Sequence, residues 1–287
     1  MGDSRVIAWF SCGAASAVAA KYAIEKYGER VCIVYCDTMK SEHPDNLRFF
    51  EDVQRWLKRE IIVIKSEKYA SVEDVFQARR YMAGIAGAPC TTEMKKVPRF
   101  AFQQPDDIHV FGFTADEADR IADFARNNPE LHLDWILQER GITKKWCLLE
   151  LEHAGIALPA MYNLGFANNN CLGCVKATSP EYWRKTRRHF PEVFERRARL
   201  SREIGARLVR INDERRFLDE LPPDEELALW TTIKPVYEDL SCGPQCGTSA
   251  GKLMYEDDLP SEIDDEEYRA WFERSVLIDG VRMGPVI

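Results

Sequence analysis

The sequence predicts an α/β fold built on a doubly wound parallel sheet, with a mostly helical C-terminal part. Three observations carry this reading. Apolar runs at residues 6–10, 31–36, 61–64 and 108–113 have the length and continuity of strands buried on both faces. Stretches of helical period alternate with them, which calls for parallel, right-handed crossovers. The first run feeds into a turn of small residues and then a helix, and sheets of this kind bind ligands beyond the carboxyl ends of their strands.

The first run is followed by Ser11-Cys12-Gly13-Ala14-Ala15-Ser16, whose small side chains let backbone N–H groups approach a ligand closely. From Ala17 the pattern is helical, with Val18, Ala19, Tyr22 and Ala23 on one face and Gly28 as a stop. The unpaired N–H groups and positive dipole end of such a helix start favour a phosphate, pyrophosphate or sulfate. No Gly-Lys-Ser/Thr ends the loop and Gly13 is its only glycine, so neither the P-loop nor the three-glycine dinucleotide turn applies. The second run ends in Asp37-Thr38, which the strand-end rule sets beside the Ser11 loop; a plain turn-capping aspartate is the other reading.

Pro44 opens the next helix, with Leu47, Phe50, Val53 and Leu57 as its expected core face. Ser71 and Asp74 resemble a helix start leading to Arg79. A Gly/Ala-rich stretch at 83–89 then delivers Cys90 in a segment, 90–96, that reads as too polar for core. The fourth run leads into Gly112, Glu117 and Arg120. Beyond it, Thr143 caps a helix over 144–154 and Gly155 ends it. The asparagines 168–170 and Gly173 permit turns that aim the sulfurs of Cys171 and Cys174 at one point. Ser179-Pro180 begins a further helix, and Pro191 restarts another that runs to Gly205. Beyond Leu208 only Cys242 and Cys246, flanking Gly-Pro-Gln, stand out. The expected division is a nucleotide-binding α/β core over 1–135 and a helical, cysteine-containing region over 136–287 packed on it.

Hydrophobic residues make up 45% and charged residues 30% of the 287, as in ordinary globular proteins. No apolar run reaches the ~18 residues of a membrane span and no signal-peptide pattern opens the chain, so a cytoplasmic location is expected. There the nine cysteines should be mostly thiols, and a cluster of them suggests metal or redox chemistry. Cys171-Leu172-Gly173-Cys174 has the spacing to grip one metal or one cluster edge. Cys90 with Cys242 or Cys246 would close a set of sulfurs suited to a [4Fe–4S] cluster or a zinc site, and spacing does not choose between them. The net charge is −8, yet residues 184–216 hold twelve Lys/Arg against five Asp/Glu, while residues 256–267 hold eight acids and no base. Solvated helix faces are the plain reading of the basic stretch; a docking surface for a polyanion is the sharper one.

As a combination, these motifs resemble the phosphoadenosine phosphosulfate (PAPS) reductase family, within the PP-loop, adenine nucleotide alpha-hydrolase-like superfamily of HUP-type fold. Ser11, Gly13 and Ser16 match its Ser-Gly-Gly-x-Asp-Ser loop, with Cys12 in place of a glycine and Ala15 in place of the aspartate. Gly112, Glu117 and Arg120 match a Gly, Glu and Arg found after a strand, and Pro159, Tyr162 and Gly165 match a turn that precedes Cys-x-x-Cys. The resemblance covers residues 6–205. It implies an adenine nucleotide, ATP or PAPS with or without magnesium, bound by residues 11–16, Asp37, Thr38 and Gly112. Arg120 would face the phosphate or sulfate, with Glu117 beside it as the other catalytic residue. Cys90, Cys171 and Cys174, with Cys242 or Cys246, would hold a [4Fe–4S] cluster, zinc being the alternative. The implied activity is sulfur chemistry: cleavage of a sulfonucleotide, or adenylation of an acceptor with release of pyrophosphate for sulfur transfer. The basic stretch would then suit a tRNA or DNA acceptor, and a homodimer stays open. The chain lacks the adjacent Cys-Cys pair of cluster-binding adenylylsulfate reductases and the Glu-Cys-Gly-x-His ending of PAPS reductases. These departures keep a second class in view, a non-catalytic nucleotide-binding or sensing module with structural zinc.

Overall fold

The computed structural model describes residues 4–84 and 87–223, together with the backbone of two strands, Val276–Ile278 and Val281–Met283, which pair antiparallel. The centre is a five-stranded parallel sheet of β1 (Val6–Phe10), β2 (Val31–Cys36), β3 (Ile61–Ile64), β4 (Ile108–Phe111) and β5 (His132–Asp134), in the order β3-β2-β1-β4-β5. The chain therefore winds outward in one direction to β3 and then in the other to β5. The direction changes between β1 and β4, and the fold is the doubly wound α/β type expected.

All five residues of β1 are buried because each face of the sheet is covered. Val6, Ala8 and Phe10 pack with α1 (Ala14–Tyr27), α2 (Asp45–Leu57), α7 (Ile136–Glu139) and α8 (Lys144–His153). Ile7 and Trp9 point to the opposite face, where they meet Phe102 of α5 (Val97–Phe102) and Phe111. On that face α6 (Ala118–Arg126) adds Ile121 and Phe124 against Phe113 and Trp135. A separate core gathers α3 (Val72–Arg79) with α9 (Ala160–Asn163), α10 (Pro180–His189), α11 (Pro191–Ile204) and the hairpin of β6 (Val209–Ile211) and β7 (Glu214–Arg216). Trp183 is its largest fully buried side chain.

Three local expectations change. Leu47 is 55% exposed, and Asn46 and Phe49 face inward with Val53 and Leu57 instead. Asn46 is tolerated inside because its amide is hydrogen-bonded on both sides, to Glu42 and Asn169. Residues 90–96 are not an open polar loop: they form the short α4 (Pro89–Thr91) and a π-helical turn over Thr92–Lys96, with Glu93 and Met94 buried. Arg79 pairs with Glu93, which makes its burial tolerable. The third is α1, which begins at Ala14, three residues before the helical pattern becomes visible.

Candidate functional site

A cleft opens where the winding reverses. It is lined by the end of β1 and its loop (Trp9, Phe10, Ser11, Gly13 to Ser16), the end of β2 (Tyr35, Cys36) and the end of β4 (Phe111 to Phe113). Counted out to open solvent its space is about 1170 Å³. Sheets of this topology place ligands at such a point, because neighbouring loops diverge there and leave a crevice.

The loop is braced from within. Ser16 Oγ accepts from the Ser11 amide (3.1 Å) and donates to the Gly13 carbonyl (2.9 Å), so Ser16 fastens the turn. Cys12 has a left-handed backbone (φ 54°), the conformation for which glycine is usual, and its side chain is fully buried. Gly112 lies directly against the start of α1. A Cβ there would come within 2.6 Å of the Ser16 nitrogen and 2.9 Å of the Ala15 carbonyl carbon, so only glycine lets β4 and the loop approach this closely. The first turn of α1 carries no acidic residue and no side-chain cap. The hydroxyl of Tyr162, pushed up to about 12 by burial, faces the backbone of Ala14 and Asn169, which opposes that shift, and so stands between the loop and the cysteine-bearing segment.

Charge gives the cleft its character. Lys95, Lys96, Arg99 and Lys144 all line it, and among the described residues no aspartate or glutamate does. Lys144 bonds to the Ala167 carbonyl and to Asn168. Arg99 is 7% exposed, reaches Asn128 Oδ1 at 3.3 Å and lies over Phe100, but its Nε has no hydrogen-bond partner. No carboxylate among the described residues forms an ion pair with it. Burial lowers its proton affinity, opposed by Glu130, yet a guanidinium stays charged in proteins. A buried charge without a counter-charge is costly, and an oxyanion in the cleft would remove that cost.

The sequence candidates divide between the cleft and its surroundings. Ser11, Gly13, Ala14, Ala15, Ser16 and Gly112 line it; Cys12, Asp37, Thr38, Glu117 and Arg120 are not among the lining residues. Asp37 accepts from the Met39 amide (3.0 Å) and so caps a turn, while Thr38 is buried and donates to Glu42. Glu117 accepts from the Thr114 amide (3.0 Å) and pairs with Arg120, which stands over the Phe113 ring at 5.1 Å. Lys95, Lys96, Arg99 and Lys144 are cleft residues that sequence reasoning did not assign to a site, while Tyr162 and Asn169 were read there only as parts of turns.

Behind the loop, Tyr182 fastens the Cys-x-x-Cys turn: the Cys174 amide donates to its hydroxyl (2.7 Å), which donates to the Cys171 carbonyl (3.4 Å). The Cys171 thiol is driven well up, chiefly by burial and also by Glu42, Cys174 and Cys90, with Lys95 opposing, so the three candidate sulfurs lie within electrostatic reach. Among the described residues no three His, Cys, Asp or Glu side chains converge closely enough to hold one metal ion. A cluster offers a separate iron to each thiolate, so its ligands stand apart where those of a single ion meet. Thiols are the donors such a group takes, so Cys90, Cys171 and Cys174 suit it in donor type. Cys242 and Cys246 lie outside the described residues. Burial also raises the thiols of Cys12, Cys147 and Cys36, the last to about 11, which disfavours their thiolate forms.

In the basic stretch, Arg184 pairs with Glu181, Arg202 with Asp219 and Arg216 with Glu214, while Arg187 caps the carbonyls of Leu221 and Pro222. Arg188, Arg196, Arg199 and Arg210 are exposed. Among the described residues no helix is long and apolar enough to cross a membrane. No protein-family model matches the chain, and no curated protein matches its sequence.

Proposed function

We propose that this chain is an adenine-nucleotide enzyme of PAPS-reductase-like sulfur chemistry, with the phosphate or sulfate end of ATP or PAPS held in the switch-point cleft. The observation that carries the reading is four cationic side chains gathered around a small-residue loop at a helix start. Such a lining favours a polyanion, and donors fixed in a partly dry cleft stabilise charge that develops at phosphorus or sulfur. Trp9, Phe111 and Phe124 supply an aromatic wall in the same cleft. In this reading Arg99 replaces Arg120 as the guanidinium that meets the oxyanion, and Arg120 orders Glu117 and the turn at Thr114. Cys90, Cys171 and Cys174 would hold an iron–sulfur cluster, which supplies electrons or carries sulfur when bound.

Products separate the branches. Purified protein with ATP and a tRNA or DNA acceptor should release pyrophosphate, or with PAPS and a dithiol reductant should release sulfite. Anaerobic protein should be brown and contain iron. Binding of nucleotide without turnover, in colourless protein with stoichiometric zinc, would instead identify a nucleotide-sensing module.

A further inference from the structure

Asn169 stands beside the loop with one half of its amide engaged and the other half not. The residue is 8% exposed, and its Nδ2 donates to the Cys12 carbonyl (2.6 Å) and to Asn46 Oδ1 (2.8 Å). Its Oδ1 is buried and has no hydrogen-bond partner. This orientation is dictated by a carboxylate two residues away in the network. Glu42, itself 6% exposed, accepts from Thr38 Oγ1 (2.5 Å) and from Asn46 Nδ2 (2.6 Å). Both carboxylate oxygens accept, so Asn46 turns its nitrogen to Glu42 and its oxygen to Asn169. Asn169 must then present its nitrogen to that oxygen and to the Cys12 carbonyl; reversed, it would set oxygen against two oxygens.

The leftover acceptor belongs to a residue that lines a cleft whose four charged side chains, Lys95, Lys96, Arg99 and Lys144, are all donors. A sulfate or a fully ionised phosphate ester satisfies those donors and leaves Asn169 unmet, since it brings only acceptors. The complementary ligand therefore carries a neutral O–H or N–H close to its anionic group. We infer that Asn169 Oδ1 accepts a hydrogen bond from a sugar hydroxyl of the ligand, so that Asn169 selects a ribonucleotide over its deoxy analogue. This rests on the nucleotide reading of the cleft. The sugar is chosen over the base by position: Asn169 is bonded to Cys12, inside the loop assigned to the phosphate, and in a nucleotide the sugar is the next group along. A site that has committed a buried acceptor to a hydroxyl discriminates strongly against the analogue lacking it, because the acceptor is then left buried and unpaired.

The test is calorimetric titration of the full chain with pyrophosphate, ATP, 2′-deoxy-ATP and 3′-deoxy-ATP. The wild type should bind ATP about ten- to a hundredfold more tightly than one of the two deoxy analogues. Asn169→Ala, which also loses the brace on the Cys12 carbonyl, should bind ATP and that analogue alike, whatever its affinity for pyrophosphate. Equal binding of ATP and both analogues by the wild type overturns the inference while leaving the nucleotide site standing. Failure of the wild type to bind pyrophosphate or any nucleotide overturns both. Should Asn169→Ala lose pyrophosphate as well, the wild-type series decides alone, since it needs no variant.

Discussion

Arg99 and Arg197 are both buried, at 7% and 2% exposure, and the two differ in how their charge is met. Arg197 donates to Glu73 at 2.7 Å and through Nε to the Gly173 carbonyl at 3.0 Å, and it stands over Phe76. It joins α3 and α11 to the Cys-x-x-Cys turn, and its charge is answered inside the protein. Arg99 has one long bond to an amide oxygen and an Nε with nothing. His109 shows the third way to bury a base. It stays neutral, accepting from Trp9 Nε1 at 3.1 Å, with its pKa lowered to about 4 by burial. A guanidinium cannot take that route. The comparison teaches where to look for a ligand: at the buried charge that no described carboxylate pairs with directly.

Breaking the answered charge should cost most. Arg197→Ala leaves Glu73 and the Gly173 carbonyl without their partner and should lower unfolding free energy by about 3–5 kcal/mol in urea titration. Pyrophosphate affinity of the folded fraction should not change. An equal loss of both would place Arg197 in the site and erase the contrast.

The neutral base gives a pH signature. Asp107 raises the proton affinity of His109, while burial, Arg99, His132 and Arg5 lower it. With its folded pKa below the unfolded value of about 6.5, the unfolded chain takes up the proton first. The contribution is complete above that pH and is lost as pH falls towards 4. Between pH 7 and 4.5 this should amount to about 2–3 kcal/mol, and His109→Gln should flatten that part of the stability profile. An unchanged slope would show that His109 does not report its burial.

Gly112→Ala drives a methyl group into the Ser16 backbone, and should cost about 1–3 kcal/mol by overpacking while removing anion binding. Retained binding would mean that the loop can shift without consequence. Smallest in stability, and opposite in sign to Arg197, is Arg99→Met. Replacing a buried, uncompensated charge by an apolar chain should leave the ligand-free protein unchanged or about 1 kcal/mol more stable.

What was legible in the sequence follows the same division between local and distant causes. The strands β1, β2 and β3 and the caps at Ser71, Thr143 and Ser179 read directly, because apolar continuity and side-chain to amide bonds are local. β5 was missed because His132, Leu133 and Asp134 give only three residues and one apolar side chain. Leu47 was misread because an inward Asn46 needs Glu42 and Asn169 to be seen, and Asn169 is 123 residues away. The loop at residues 11–16 and Gly112 were found by pattern. Arg99 was not, since its burial arises only when α5 meets the end of α6 at Asn128.

The most direct measurement is titration of wild type and Arg99→Met with pyrophosphate, ATP and PAPS, alongside urea stability of both without ligand. A cleft built for an oxyanion predicts binding by the wild type. In Arg99→Met that affinity should fall about ten- to a hundredfold, the loss of one charge-assisted hydrogen bond or two, while stability holds or rises. Equal affinities in the two proteins, or a variant that unfolds as readily as Arg197→Ala, would contradict the account.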